Sequence, residues 1–188
     1  MKNYELKICD LKRSLPFIDI SEDLAFASFV VISDTELISK VAPLIAKKIG
    51  TVDALLTAEA KGIALVYEVS KQLGLKEFIV ARKSKKSYME NVVSTSVNSI
   101  TTKGSQTLFL DGIDAEKIKG KNICLIDDVI STGESINALE KLAQKSGANV
   151  VKKAAILAEG EAANRNDIIF LQKLPLFRKE KGEYFEIK

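Results

Sequence analysis

The chain has 188 residues, of which 46% are hydrophobic and 28% are charged, with a formal net charge of +3. These values predict one soluble globular domain, and the small, local excess of lysine argues against a nucleic-acid partner. No apolar stretch approaches the ~20 residues of a membrane span and the charged start MKNYELK is unlike a signal peptide, so we expect no membrane contact and a cytoplasmic location. The absence of histidine excludes Ser-His-Asp and Cys-His catalysis and His-ligated zinc.

Short strands and one helix are predicted before the first strongly buried strand. The runs Tyr4–Cys9 and Leu24–Ile32 have a composition typical of strands but form no βαβ unit. Asp34 or Thr35 is placed to cap a helix that runs to about Lys48. The apolar face of this helix comprises Leu37, Val41, Leu44, Ile45 and Ile49.

The first strand–loop–helix unit carries a loop suited to an anion. Val52–Thr57 predicts a buried strand and Gly62–Leu73 the helix that follows it. Between them, the sequence TAEAKG has small residues that let the backbone approach an anion closely, and Lys61 supplies a positive charge. An ordinary turn with an exposed lysine is the alternative interpretation.

A basic segment and a hairpin follow the third strand. Glu77–Ala81 predicts that strand, and Arg82–Tyr88 concentrates cations with little apolar anchoring, which is typical of a mobile flap or of a solvated turn. Val92–Val97 and Gln106–Leu110 alternate as the two strands of a hairpin. We expect Asp111–Gly112 to turn the chain after them.

The stretch Asn122–Gly147 predicts a second strand–loop–helix unit. The apolar run Ile123–Ile126 is followed by Asp127 and Asp128, by a turn of small residues, and by apolar residues at helical spacing up to Gly147. The small residues would aim backbone N–H groups and hydroxyls at one point, where the helix dipole favours a phosphate. Adjacent carboxylates are suited to the vicinal hydroxyls of a ribose, so we expect a ribose-phosphate site.

Two plainer explanations apply to the same residues. Ser131 and Glu134 form an S-x-x-E pattern, which is a capping box at any helix start, and a hydrophobic run that ends in two aspartates is similar to a Walker B strand. Capping does not require the paired carboxylates, and no G-x-x-x-x-G-K-[ST] occurs in the sequence.

The remainder of the chain predicts further strands. Val150–Ala158 is a buried strand, residues 159–167 are polar and irregular, and Ile168–Leu171 and Leu174–Phe177 are short strands. Alternating strands and helices predict an α/β fold with a mainly parallel sheet flanked by helices. We expect a single domain over residues 1–188, with a hood segment at 1–33, a core at 34–177 and a charged tail at 178–188.

The segment Ile123–Ser135 resembles the phosphoribosyl-pyrophosphate (PRPP) motif of the type I phosphoribosyltransferases, in particular the adenine- and xanthine-type purine branch. The resemblance implies that family's fold, with an N-terminal hood and a β flap. It implies a purine salvage enzyme that makes a purine nucleoside 5′-monophosphate and pyrophosphate from PRPP and a base, with adenine favoured over xanthine, hypoxanthine or guanine. It also implies Mg²⁺ as cofactor and a homodimer, while a non-catalytic regulator that binds PRPP or a nucleotide is the alternative.

The resemblance assigns site residues by position. The TAEAKG segment resembles a pyrophosphate loop with a cis bond between Glu59 and Ala60, and Thr101 stands where adenine-specific members often carry a catalytic glutamate. The candidate catalytic residues are Asp127 and Asp128, with Mg²⁺ near them but not bound directly. The candidate 5′-phosphate residues are Ser131, Thr132, Gly133, Glu134 and Ser135, with the Glu134 side chain expected to point outward. The candidate pyrophosphate residues are Glu59, Ala60, Lys61, Gly62, Arg82 and Lys83, and those of the flexible loop are Lys86, Ser87 and Tyr88.

The sequence leaves open how the base is handled. Asp128 and Glu159 are both candidates to accept its proton. Phe17 and Phe26 are candidates to stack on it, although a place in the hydrophobic core is the better explanation of either residue.

Overall fold

The structure, a computed structural model, describes residues 3–98 and 105–187. The strands are β1 Asn3–Ile8, β2 Leu11–Asp19, β3 Leu24–Ala27, β4 Ala54–Ala58, β5 Ile79–Ala81, β6 Val93–Asn98, β7 Ser105–Leu110, β8 Asn122–Ile130, β9 Asn149–Glu159, β10 Gln172–Leu174, β11 Leu176–Glu180 and β12 Glu183–Glu186. The α-helices are α1 Thr35–Ile49, α2 Ile63–Gln72, α3 Gly112–Ile118 and α4 Glu134–Lys145, and Gly160–Asn164 forms a 3₁₀ turn.

A five-stranded sheet in the order β10-β9-β8-β4-β5 forms the centre of the molecule, and all its pairings are parallel. Along β8, Cys124 and Ile126 pack in the same apolar cluster as α1 and α2, whereas Ile123 and Leu125 pack with α4. Successive side chains of a strand point to opposite faces, so this run covers both faces with apolar groups, each worth ~1.5–3 kcal/mol when fully buried. The predicted α/β fold with helices on both faces is confirmed.

The first helix begins at its predicted cap. The Asp34 side chain accepts a hydrogen bond of 3.0 Å from the backbone N–H of Leu37, and Gly50 ends the helix with a positive φ. The predicted apolar face is too wide at Leu44, which is 45% exposed. The buried stripe instead includes Ile38, Ala42 and Ala46.

A second five-stranded sheet, in the order β1-β2-β3-β11-β12, joins the two ends of the described chain. The residues expected to form a tail are therefore largely strand, because β11 pairs with β3 and then with β12. The last strands also lie later than predicted: Ile169 makes only an isolated bridge to Ala154, and regular pairing begins at Gln172. Charged residues such as Arg178 and Glu180 do not show the apolar alternation that predicts a strand, so this strand is recognised only from its pairing with β3 and β12.

The predicted flap hairpin is present, and one helix was missed. β6 and β7 pair antiparallel from Val93 with Leu110 onward, and Arg82 bridges to Phe109. Asp111–Gly112 was predicted to turn the chain but instead begins α3. This short helix has an exposed Ile113 and buries only Ala115 and Ile118, so it lacks a clear amphipathic period. No helix in the described ranges is long and apolar enough to span a bilayer.

Candidate active site

Parallel pairing brings the carboxyl ends of β4, β5, β8 and β9 to one edge of the central sheet, where ligands of open α/β folds bind. Asp127 and Asp128 lie inside β8, since its pairing with β9 continues to Ile130. The apolar run ends at Ile126, so the sequence had predicted the two carboxylates to follow the strand rather than to lie within it. Both carboxylates are thus fixed by the sheet itself.

Each carboxylate contacts a different loop. The Asp127 Oδ2 atom accepts a hydrogen bond of 3.4 Å from Ser135 Oγ, and its Oδ1 accepts one of 2.9 Å from the Asp128 N–H. Asp128 is 3% exposed, and Lys61 Nζ lies 3.4 Å from its Oδ2. Within the described part of the chain this buried oxygen has no hydrogen-bond partner, since the lysine is outside hydrogen-bond geometry. Lys61 is its ion-pair partner, so a ligand reaches this acceptor by displacing the lysine.

The local environment favours the protonated form of Asp127. Burial, and then the charge of Asp128, raise the pKa of Asp127 to about 7, against the opposing effects of the Asp128 N–H and of Lys61. A carboxylate whose pKa is strongly raised beside a second carboxylate is typical of a functional site.

The β8–α4 loop, residues Ser131–Ser135, forms one wall of a pocket of about 150 Å³. Gly133 is in the left-handed conformation with φ of 85°, and it precedes α4 without a side-chain cap among the described residues. The S-x-x-E capping box is therefore not formed, and the expected role of Glu134 as a cap partner is wrong. Glu134 is half-buried beside the pocket. In the first turn the Glu134 N–H donates to Thr132 Oγ1 at 3.4 Å, and the residues of this turn line the pocket, where helix N–H groups suit an anion.

The β4–α2 loop, residues Glu59–Gly62, lies next to the carboxylates. The Glu59–Ala60 peptide bond is cis, as the resemblance implied. A β-carbon at Gly62 would collide with the buried Thr57 hydroxyl, so only glycine allows this close approach of loop and strand. Lys61 extends from the loop toward Asp128.

Glu59 holds the start of the flap against this loop. One Glu59 oxygen lies 2.6 Å from Arg82 Nε, and the other accepts a hydrogen bond of 2.7 Å from the Lys83 N–H. The Lys83 N–H, together with the nearby charges of Arg82 and Lys86, lowers the pKa of Glu59. The Lys83 residue reaches the pocket wall beside the β8–α4 loop.

The predicted flexible-loop residues lie outside that pocket. Lys86, Ser87 and Tyr88 form a turn in which Tyr88 is 64% exposed. The segment is better anchored than the sequence indicated, because Met89 is buried and its sulfur accepts a hydrogen bond of 3.4 Å from the Lys86 N–H. Thr101 lies outside the described residues.

The end of β9 supplies a further titratable group. Burial raises the pKa of Glu159 to about 7, and the charge of Lys61 opposes the shift. Gly160 follows, and a β-carbon there would lie 2.9 Å from Leu176 Cδ1 in the second sheet. Phe26 is the cross-strand partner of Leu176, so its side chain shares that face. Phe17 instead stacks on Tyr184 at a centroid distance of 4.1 Å and packs within the second sheet.

The structure also shows one residue that the sequence analysis missed. Arg165 packs against Gly133, although the two belong to different connections of the fold. No local pattern around Arg165 indicated this contact. In the described ranges no cluster of three or more acidic, cysteine or histidine side chains is placed to hold a metal ion.

Comparisons with known proteins agree with this arrangement. A family model described as "Phosphoribosyl transferase domain" matches residues 32–178. The hypoxanthine/guanine phosphoribosyltransferase of Methanococcus voltae is 29% identical over 74% of this chain and 71% of that protein. The Methanococcus vannielii protein of the same name is 32% identical over 72% of this chain and 69% of that protein.

Solved structures support the same fold. The adenine phosphoribosyltransferase of Thermoanaerobacter pseudethanolicus superposes with a TM-score of 0.70 at 22% identity, over 85% of this chain and 95% of that one. All three proteins are named as enzymes, which agrees with the predicted class, a PRPP-dependent pentosyltransferase, and gives no support to a non-catalytic regulator. The chain belongs to the phosphoribosyl transferase domain family, within the purine branch of the type I phosphoribosyltransferases.

Proposed function

We propose that this protein transfers the phosphoribosyl group of PRPP to a ring nitrogen of a purine base and releases pyrophosphate. The observation that carries the proposal is the position of Asp127 and Asp128 between two anion-suited loops. Ser135 of the β8–α4 loop bonds to the first carboxylate, and Lys61 of the β4–α2 loop approaches the second. A sugar that bears a phosphate at one end and a diphosphate at the other matches this arrangement, in which two carboxylates lie between two loops suited to anions.

Each part of the substrate has a proposed partner. The 5′-phosphate accepts hydrogen bonds from the backbone and hydroxyls of residues Ser131–Ser135 at the amino end of α4. The ribose hydroxyls donate to Asp127 and Asp128. The pyrophosphate lies over the β4–α2 loop, where Lys61, Arg82 and Lys83 neutralise its charge.

The reaction breaks the bond between C1′ and the pyrophosphate oxygen, which leaves with the electron pair, while a purine nitrogen forms the new bond to C1′. The sugar gains oxocarbenium character between these steps, and the nearby carboxylates stabilise its positive charge. The nitrogen then loses a proton. We assign this proton to Glu159 rather than to Asp128, because the pKa of Glu159 is raised to about 7, whereas Asp128 faces the sugar.

The base is proposed to lie between Glu159 and the second sheet. Phe26 and Leu176 share one face of that sheet, and Leu176 touches the residue after Glu159. An aromatic ring on one side and a carboxylate at the edge suit a planar heterocycle. Phe26→Ala is expected to raise the KM for the base while changing the KM for PRPP little, as steady-state kinetics would show.

Mg²⁺ fits this site as a companion of the substrate. Asp128, which pairs with Lys61, and the neighbouring Asp127 supply hard oxygen acceptors, and fewer than three such side chains converge in the described ranges. The two aspartates would lie next to an ion held mainly by PRPP oxygens and water. When bound, the ion would neutralise charge on the leaving pyrophosphate.

A panel of bases tests the function. Purified protein with PRPP and Mg²⁺ is offered adenine, hypoxanthine, guanine, xanthine, uracil and orotate, and pyrophosphate release is followed. The names of the Methanococcus relatives favour hypoxanthine or guanine over the adenine that the resemblance suggested. Release with one purine supports the proposal, and no release with any base from protein that binds PRPP would reject it.

We also propose a homodimer in the cytoplasm. The dimer is expected from the resemblance, and the location is expected because no stretch of the sequence approaches the ~20 apolar residues of a membrane span. Analytical ultracentrifugation of the purified protein tests the dimer, and fractionation of the native cells tests the location. A monomer that turns over at full rate would reject the dimer.

A further inference from the structure

A cationic side chain lies directly behind the β8–α4 loop. The chain leaves β9 at Glu159, passes through the 3₁₀ turn Gly160–Asn164 and places Arg165 against Gly133. A β-carbon at Gly133 would collide with Nη1 of Arg165, so the guanidinium is packed on the glycine itself. The left-handed conformation favours glycine at this position, and the contact with Arg165 is a second reason for it.

The guanidinium is held in one orientation. Its Nε donates to Asp167 Oδ1 at 2.9 Å and its Nη2 donates to Asp167 Oδ2 at 2.8 Å. This two-point pair fixes the plane of the group. Nη1, the nitrogen that Asp167 does not engage, is the one that faces Gly133.

The Arg165–Asp167 pair is connected by further ion pairs to α4, the helix that begins at the β8–α4 loop. Lys153 of β9 lies 3.2 Å from Asp167 and 2.9 Å from Glu140 of α4, and its side chain is 12% exposed. Because Glu140 belongs to α4, the ion pairs fix Arg165 relative to the amino end of the same helix. The position of Arg165 is therefore fixed by residues of β9, of α4 and of the segment that contains Asp167.

The loop itself carries no cationic side chain. Among its own five residues, Ser131–Ser135, the single charged side chain is Glu134, which is acidic. A phosphate dianion bound there would be stabilised by N–H groups and the helix dipole, which amounts to about half an elementary charge. Lys83 stands on the pocket wall, and Arg165 lies behind Gly133 without being one of the residues that line the pocket.

We propose that Arg165 is a positioning residue for the 5′-phosphate of the substrate, acting through Gly133. It packs against the back of the glycine turn, so that the N–H groups keep their direction, and it adds a fixed positive charge behind them. Asp167 orients the guanidinium. This inference rests on the proposed function, because it takes the β8–α4 loop as the seat of that phosphate.

Two ligands that share no subsite test the proposal. Ribose 5-phosphate and pyrophosphate are titrated separately into wild-type protein and Arg165→Gln by calorimetry. We expect the variant to bind ribose 5-phosphate about tenfold more weakly, because a charge close to the phosphate is lost, and to bind pyrophosphate unchanged. In turnover, the KM for PRPP rises while kcat changes little.

Further variants separate charge from folding. Arg165→Lys keeps the charge without the two-point pair and is expected to restore part of the affinity. Asp167→Asn keeps the arginine but loosens it, with a smaller loss. Lys119→Gln removes one positive charge from a lysine paired with Glu116 just before β8, far from the carboxyl edge, and is expected to match the wild type.

The outcomes distinguish this inference from the function on which it rests. Wild-type protein that binds no ribose 5-phosphate overturns both. Wild-type binding with equal affinity in Arg165→Gln, or with equal weakening of ribose 5-phosphate and pyrophosphate, overturns the role of Arg165 alone. If Arg165→Gln fails to fold, Arg165→Lys and Asp167→Asn carry the same comparison of the two ligands.

Discussion

The two loops at the carboxyl edge of the sheet are built differently. The β8–α4 loop, residues Ser131–Ser135, offers backbone N–H groups and hydroxyls around a left-handed glycine. The β4–α2 loop, residues Glu59–Gly62, offers charged side chains that already pair with other parts of the site: Glu59 with Arg82, and Lys61 with Asp128. One loop is shaped by its backbone and the other is held by ion pairs.

This difference has a physical consequence for ligands. At the start of α4 the donors are backbone N–H groups, and that of Glu134 has only a hydrogen bond of 3.4 Å to Thr132 Oγ1 to release, so a phosphate meets a site that is largely pre-arranged. In the second loop a diphosphate must compete with Glu59 for Arg82 and with Asp128 for Lys61. We therefore expect ligand affinity at the first loop to depend on the shape of its backbone as well as on the charge of Arg165 beside it, and affinity at the second loop to depend mainly on charge.

The largest expected effect comes from the carboxylates that link the loops. In Asp127→Asn/Asp128→Asn the acceptors for the ribose lose their charge, and each charge-assisted hydrogen bond is worth ~1.5–3 kcal/mol. We expect kcat/KM to fall by a factor of ~10² to 10⁴. Thermal unfolding should show no loss of stability, because the adjacent charges repel one another in the ligand-free protein. A variant that unfolds, or one that retains full activity, would contradict this assignment.

Gly133→Ala tests the shape of the first loop. An alanine in the left-handed region costs ~1–2 kcal/mol, and here its β-carbon also collides with Arg165. We expect the affinity for ribose 5-phosphate to fall about tenfold or more, with pyrophosphate binding unaffected. Gly120→Ala is the matched control, since Gly120 has a φ of 72° with nothing within 4 Å of an added β-carbon. It should lower the melting temperature without changing either affinity.

Lys61→Gln tests the charge of the second loop. The lysine side chain is 52% exposed, so the loss of its contact with pyrophosphate is expected to weaken that ligand by only about 5- to 10-fold. Ribose 5-phosphate should bind as before. Lys61→Arg keeps the charge and is the control. If Lys61→Gln lowered the affinities for pyrophosphate and ribose 5-phosphate equally, the two loops would not bind the two ligands independently.

The last prediction concerns stability rather than ligand binding. The pKa values of Asp127 and Glu159, both raised to about 7, exceed the values of 3.8 and 4.5 expected when unfolded. The folded state then binds more protons between about pH 4 and pH 7, so the ligand-free protein should lose stability as pH rises through this window. Melting temperatures measured across it should fall less steeply in Glu159→Gln. Glu116→Gln, at an exposed glutamate, should keep the wild-type slope.

The sequence by itself determined much of the first loop and of the fold. Strand, carboxylates, turn and helix follow one another within Asn122–Gly147, so their periodicity and residue types are visible in one local stretch. The same holds for the cap at Asp34 and for the buried strands β4 and β9. The α/β class follows from this alternation, because the apolar pattern of each element dictates which faces it must bury.

Local patterns misjudged the elements that lack a strong apolar period. A turn was predicted at Asp111–Gly112, where the helix Gly112–Ile118 begins, and residues 178–186, which lie in the last two strands or between them, were predicted to be a tail. The capping box at Ser131 and Glu134 was a sequence pattern that the backbone at Gly133 does not allow. Side-chain patterns mark where a cap is allowed, but the φ of one residue decides where the helix begins.

Only the tertiary structure decided the second loop and the support of the first. Glu59 meets Lys83 across 24 positions of sequence, Lys61 meets Asp128 across the sheet, and Arg165 packs on Gly133 from another connection. Ion pairs and close packing depend on distances between atoms in space, and those distances are set by strand order. A chain reveals which charges it carries, whereas the fold decides which of them meet.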